Sequence, residues 1–191
     1  MTDASTTAKD IVKFSKWEKS PLSPNHYDDK FTIDNVEFKS LGMYLAYKRA
    51  ELFEDDEMMR QIIRHYSTCY DRAFVRNYDH ELWCSKLPKF LAEGNMAKFS
   101  QNPSLAAYLI KTYPNPIYYC EPSDPEMSIG LWVGSKYVGD LQKHRGKNWL
   151  GVTLEACRRK LMEQQKVSVM GKQDAARSEI ESVLDLLHKD S

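Results

Sequence analysis

Over most of this chain, apolar residues recur at helical spacing rather than in strand-like alternation, and that constrains its fold more than any other feature. In "QNPSLAAYLIKT", Asn102 can cap a helix, Pro103 suits its first position, and Leu105, Tyr108 and Leu109 make one stripe. "EDDEMMRQIIRHY" sets Met58, Ile62 and His65 at the same spacing, with Asp55 or Asp56 available as a cap. "DHELWCSKLPKFLAEGNMAKFSQ" is a further helix, expected to break or kink near Pro88. "HRGKNWLGVTLEACRRKLMEQQ" opens another, with Leu150, Leu154, Cys157 and Leu161 as its seam. Gly171 is expected to interrupt it before a last amphipathic helix carrying Ile180, Val183, Leu184 and Leu187. Two strand signals stand against these. "KFTIDNVEFKS" alternates Phe31, Ile33, Val36 and Phe38 around an Asp-Asn turn and reads as a hairpin, and "IYYCE" reads as a short strand.

"FKSLGMYLAYKRAELF" (residues 38–53) poses a question. Ser40 is a plausible N-cap, and Leu41, Tyr44, Leu45 and Leu52 share an apolar face. Gly42 falls in the first turns, where glycine costs about 1 kcal/mol relative to alanine. Nothing local requires positive φ there.

The 191 residues fit one domain with a helical extension, and the 42% hydrophobic share can build a core. The expected divisions are a flexible segment 1–10, a domain 11–165 and a helical extension 166–191. With 27 basic and 27 acidic residues the net charge is zero, which argues against coating nucleic acid by charge alone but leaves room for a local basic groove. Cys69, Cys84, Cys120 and Cys157 match no zinc or CxxC spacing. The five histidines include no pair at i, i+4. No metal site and no cofactor are expected. The start of the chain has no apolar run and no segment is long enough to span a membrane, so four reduced thiols in a cytoplasmic or nuclear protein, not a secreted one, are expected.

Several motifs then fall in a familiar order. "GNMAKFSQNPSLAAYLIKT" (94–112) and "GKNWLGVTLEACRRKL" (146–161) resemble the NADAR (NAD- and ADP-ribose-associated), or YbiA-like, family. Residues 38–53 resemble its first motif, F-x-S-V-E-Q-Y-x-x-Y-x-K-A-x-L-F, matching without a gap at Phe38, Ser40, Tyr44, Tyr47, Ala50, Leu52 and Phe53. "FSKW" resembles the opening F-L-S-N-[FW], and "EPSDPEMSIGL" resembles A-S-P-x-D-x-x-W-G-I-G-L. Trp83 keeps the family's distance before Lys98. The resemblance spans residues 14–161. It implies a predominantly helical α+β fold, YbiA-like, as a single compact domain with a few short strands. It also implies chemistry on N-glycosidic bonds to ribose: some members clear ribosylamine intermediates of riboflavin synthesis, and others remove ADP-ribose from guanine in nucleic acid.

Aligned in this way, Gly42 takes the place of the family's acid/base glutamate. Arg49 replaces a lysine that could form a Schiff base, which arginine cannot. Lys16 replaces the opening motif's Asn, while Met127 and Ser128 replace its Trp-Gly. Asp124 matches the family's active-site Asp, and Lys98 its lysine. These two are the candidate catalytic residues, with Gly42 and Arg49 as degenerate positions. Trp83, Tyr44 and Met127 are candidate ligand contacts, although Trp83 and Tyr44 are equally natural packing residues. Gly146, Lys147 and Asn148 open a helix whose amides are expected to face an anion. Glu37 and Glu51 are the nearby carboxylates, and neither is expected to reach the place of Gly42. Three readings follow. The first is a protein that binds ADP-ribose, a related ribosyl nucleotide or an ADP-ribosylated base, with weak or lost glycosidase activity. The second is an active N-glycosidase using Asp124 and Lys98. The third is an interaction platform whose C-terminal helix contacts a protein partner or a second copy. The expected partners are that nucleotide, or nucleic acid carrying the modified base, and no membrane.

Overall fold

The structure, a computed structural model, describes residues 10–26, 30–65 and 75–189, with the side chains of the last helix described through 168 and at 170 and 173. Among the described residues four short strands are present: β1 Val12–Phe14, β2 Phe31–Ile33, β3 Val36–Phe38 and β4 Ile117–Tyr119. Five α-helices make up most of the described residues: α1 Leu41–Leu52, α2 Asp56–His65, α3 His80–Gln101, α4 Pro103–Lys111 and α5 Trp149–Lys189. β2 and β3 form the expected hairpin, with Phe31 opposite Phe38. Asp34 and Asn35 turn it with φ of 50° and 63°, the two positive values that a two-residue turn compatible with strand twist requires. β1 pairs with β4 in parallel, Phe14 opposite Tyr119.

α1 starts as expected, with Ser40 Oγ accepting from the Met43 amide at 3.1 Å. Its end is closed by Asp55. The Asp55 amide donates back to Ala50 O at 2.9 Å across Glu54, which takes φ +56°. The Asp55 carboxylate then opens α2 by accepting from the Met58 amide (3.2 Å) and also accepts from the Arg76 amide (2.9 Å). One buried residue thus ends one helix, starts the next and ties in the chain that leads to α3.

α3 is the central helix. It runs unbroken for 22 residues through Pro88, so of the expected break or kink the break is absent. Buried Leu87, Phe90 and Leu91 pack on both sides of the proline, and that apolar burial outweighs one missing hydrogen bond. α1 lies antiparallel along it, so that Leu41 and Tyr44 meet Gly94 while Arg49 meets Trp83. α5 packs on its other side through the bond from Asn95 Nδ2 to Thr153 Oγ1 at 3.0 Å. α5 also presses on β4, where a Cβ at Gly151 would land on the carbonyl oxygen of Ile117.

Two further expectations are corrected. Asn102 sits at the N-cap of α4 with Pro103 at its first position, but its side chain makes no cap bond. It donates instead to Lys98 O (2.8 Å) and Lys30 O (3.1 Å), closing α3 and fastening the β2–β3 hairpin. Gly171 does not interrupt α5, which is one helix of 41 residues. The expected seam of Ile180, Val183, Leu184 and Leu187 lies outside the described side chains, and residues 1–9 lie outside the described structure. No helix among the described residues is long and apolar enough to cross a membrane.

Burial raises the Asp55 pKa, but the amides of Arg76 and Met58 outweigh it and leave the carboxyl below its ordinary value. A depressed folded pKa gives stability that is complete above the ordinary carboxylate range, about pH 4, and is lost as pH falls through the lowered value. Asp55→Ala should therefore cost about 1–2 kcal/mol at pH 7. Urea melts at pH 7 and pH 3 should show the gap between variant and wild type narrowing in acid.

Candidate functional site

Because β1 and β4 are parallel, their carboxyl ends lie side by side, and the loop after each strand leaves at the same edge. The loop after β1 carries Lys16 and then Pro21 and Pro24. The Pro21 carbonyl accepts from the Lys98 ammonium at 2.7 Å. The Pro24 carbonyl accepts from the Gly42 amide at 2.7 Å. The loop after β4 carries Glu121 and Asp124. Lys16 Nζ and a Glu121 carboxylate oxygen bind the two loops together at 3.1 Å. Gly42 and Lys98, far apart in sequence, are thus both tied to the loop after β1, and Asp124 stands on the loop after β4, which Lys16 and Glu121 join to it.

Lys98 is almost fully buried, at 1% exposure, and its ammonium also lies 5.5 Å from the Phe99 ring. A lysine is rarely buried so deeply without polar partners. Asp124 Oδ1 accepts from the Met127 amide at 3.1 Å, and its carbonyl accepts from the Ser128 amide at 3.0 Å. The carboxylate is therefore held in a tight turn and half-buried.

The buried Glu121 carboxylate was not singled out in the sequence. Oε1 accepts from the Ser123 hydroxyl (2.7 Å) and amide (3.3 Å). Burial pushes its pKa up, but the Ser123 bonds and Lys16 outweigh this and hold it below the usual carboxylate value. With Asp124 it also holds the Tyr119 hydroxyl protonated, adding to the larger effect of that ring's burial. The signal available in the sequence was Lys16 in place of the family's Asn, a charge that asks for a carboxylate.

α1 shows two flanks. Gly42 and Arg49 are seven residues apart, which brings them within about 20° of the same face. The Arg49 guanidinium stacks over the Trp83 indole, 4.7 Å from its centroid. Trp83 is itself 5% exposed and packs on Phe90, so it is a core residue with one face given to Arg49. Tyr44 lies about 200° from Gly42 around the helix and so points away. Its ring packs edge-on to Phe38 at 5.2 Å, and its hydroxyl donates to Glu93 at 3.0 Å. Tyr44, Tyr47 and Glu51 line a separate groove of about 730 Å³. Glu51 is paired there with Lys48, and Glu37 with Lys30 on the hairpin. Neither carboxylate is on the Gly42 flank.

The turn before α5 corrects another expectation. Its amides are not available to an anion. Lys147 N donates to Pro125 O (2.7 Å), Asn148 N to Ser128 O (2.8 Å), Trp149 N to Glu126 O (3.3 Å) and Leu150 N to Met127 O (3.1 Å). A helix start can be satisfied by backbone carbonyls as well as by a ligand. Gly146 is required because a Cβ there would strike the carbonyls of Ser128 and Pro125. Asn148 sits at φ +52° and bridges to β4, its amide nitrogen donating to Ile117 O (2.9 Å) and its oxygen accepting from Tyr119 N (3.1 Å). Lys147 pairs with Glu126 at 2.7 Å. These residues build the wall that holds the Asp124 loop. Met127 is half-buried against the core.

The NADAR domain family matches residues 4–162. The chain belongs to the NADAR family. It is 33% identical over 122 residues to a protein of Acanthamoeba polyphaga mimivirus named as an N-glycosidase, covering 62% of this chain and 72% of that one. It is 26% identical over 157 residues to protein irg-1 of Caenorhabditis elegans, covering 80% and 74% of the two chains. Its fold is similar to the NMR structure of Escherichia coli YbiA, with a TM-score of 0.63 at 19% identity over 84% of this chain and 92% of YbiA. The YbiA-like α+β architecture expected from the motifs is therefore correct.

The tight turn makes a contrast in stability. Gly146→Ala should cost about 1–3 kcal/mol, because backbone must move to admit the methyl group. Lys147→Ala removes a half-exposed ion pair and should cost less than about 1 kcal/mol. Chemical denaturation of both variants measures the difference.

Proposed function

We propose that this NADAR protein binds ADP-ribose or a related ribosyl nucleotide, including an ADP-ribosylated guanine, and that its glycosidase activity is weak or lost. The observation that carries the reading is Gly42 on the flank of α1 that also bears Arg49. In the family motif this position holds the acid/base glutamate, and no other carboxylate of α1 or of the hairpin before it lies on that flank. Loss of a general acid/base group lowers a rate by about 10²–10⁴-fold, whereas binding does not need it. Arg49 and Lys16 supply positive charge suited to phosphate, and Asp124 supplies acceptors suited to ribose hydroxyls.

A second reading has one specific support. The mimiviral relative is named an N-glycosidase, and Asp124 and Glu121 put two carboxylates on the loop after β4. In that case Asp124 would serve as the acid/base with Lys98 as its cationic partner. The third reading, an interaction platform, has no feature of the described residues in its favour.

Calorimetric titration of the wild-type protein with ADP-ribose, together with an assay on an oligonucleotide carrying ADP-ribosylated guanine, separates the three. Micromolar binding that is lost in Asp124→Ala, with release of ADP-ribose appearing only in Gly42→Glu, is the expected result. Release by the wild type would replace the first reading with the second. No binding by either protein would leave the platform.

A further inference from the structure

The donors that the histidine spacing did not reveal stand at the start of α3. His80 and Cys84 are four residues apart on one helix and share a face. Cys84 Sγ lies 3.5 Å from His80 Nε2 and 3.8 Å from Nδ1. A third donor comes from a different part of the chain. A carboxylate oxygen of Glu126, the sulfur and an imidazole nitrogen all lie within 4.8 Å of one another. Zinc bonds of about 2.3 Å to sulfur and 2.0–2.1 Å to nitrogen at a tetrahedral angle put those two donors about 3.5 Å apart. The α3 pair already has that separation, and turning the imidazole and the Glu126 side chain supplies the remainder.

The surroundings suit an ion. Tyr78 Oη is 3.1 Å from His80 Nδ1, and an Nδ1–H donated to the phenol leaves Nε2 as the nitrogen for a metal once the ring turns to aim it. Glu126 is anchored from both sides: its carbonyl accepts from the Trp149 amide, and Oε2 pairs with Lys147. Its Oε1 is then the oxygen left for a metal. Thiolate, imidazole and carboxylate together form a borderline-soft set, which favours zinc over magnesium or calcium. Three protein donors with His80 at the surface leave a fourth position to water.

We propose that His80, Cys84 and Glu126 bind one Zn²⁺ ion, clamping the first turn of α3 to the loop that carries Asp124. Zn²⁺ displaces the thiol proton to solvent and forms one bond to each donor, with no change of oxidation state. The expectation of no metal site rested on cysteine spacing, histidine spacing and the lack of an acidic cluster beside the histidines, and it passed over a His–Cys pair.

Cobalt titration of the chelator-treated full chain tests this, with cobalt–thiolate absorption as the readout and zinc as the competitor. One equivalent per chain is expected, displaced by zinc, with the thiolate band absent in Cys84→Ser. His80→Ala should weaken binding at least about tenfold, and Tyr78→Phe by about 10–100-fold at most. His80 is exposed, so that variant keeps the fold and serves as an independent check on Cys84→Ser. Cys69→Ser should retain the band. A wild type with no thiolate band, a band that survives Cys84→Ser or is lost in Cys69→Ser, or full-strength binding by both His80→Ala and Glu126→Gln would overturn the proposal.

Discussion

Four successive carbonyls, those of residues 125–128, are taken by the four amides that open α5. The rest of the site depends on that exchange. Helix amides need acceptors and the loop carbonyls need donors, and here each supplies the other. The cost is local: residue 146 can carry no side chain, and Asn148 must take positive φ. In return, the loop with Glu121, Asp124 and Met127 is fixed to the helix that packs against α3. Asn148 extends the same lock to β4, so the strand edge and the helix start are one rigid unit.

On that unit the chemistry is divided between loops. The parallel pairing of β1 with β4 brings Lys16 to Glu121. The carbonyls of Pro21 and Pro24 then reach Lys98 and Gly42 from the same loop. None of these contacts is local in sequence. The two flanks of α1 separate the candidate nucleotide site from the groove beside Tyr44, so two motif residues only two positions apart serve different surfaces. Buried thiols play no reactive part in this frame. Burial pushes the Cys120 thiol up to about 11 and the Cys157 thiol up to about 12, and both stay protonated at neutral pH.

Motif order identified the family, and spacing alone gave the helices, the hairpin, the cap at Ser40 and the pair Asp55 or Asp56 from which the structure takes Asp55. These are short-range effects: a side chain three residues from an amide, or a stripe repeating every turn, is written into the local chain. The same local rules misread Pro88, Gly171 and Asn102. A proline costs a helix one bond, and the tertiary packing of Leu87, Phe90 and Leu91 outweighs it. Asn102 could cap its own helix, but Lys30 O and Lys98 O offered acceptors that only the folded chain brings near.

The sequence by itself determined the family, the helical α+β class and the unusual glycine at position 42, because these rest on residue identity and local periodicity. Only the tertiary structure decided what surrounds each candidate. It turned Tyr44 away from Gly42, gave Trp83 to Arg49 and committed the amides of the Gly146 turn to carbonyls. It also brought Glu126 beside His80 and Cys84. Such outcomes depend on which unpaired donor meets which acceptor once distant segments pack, and no local pattern encodes that meeting.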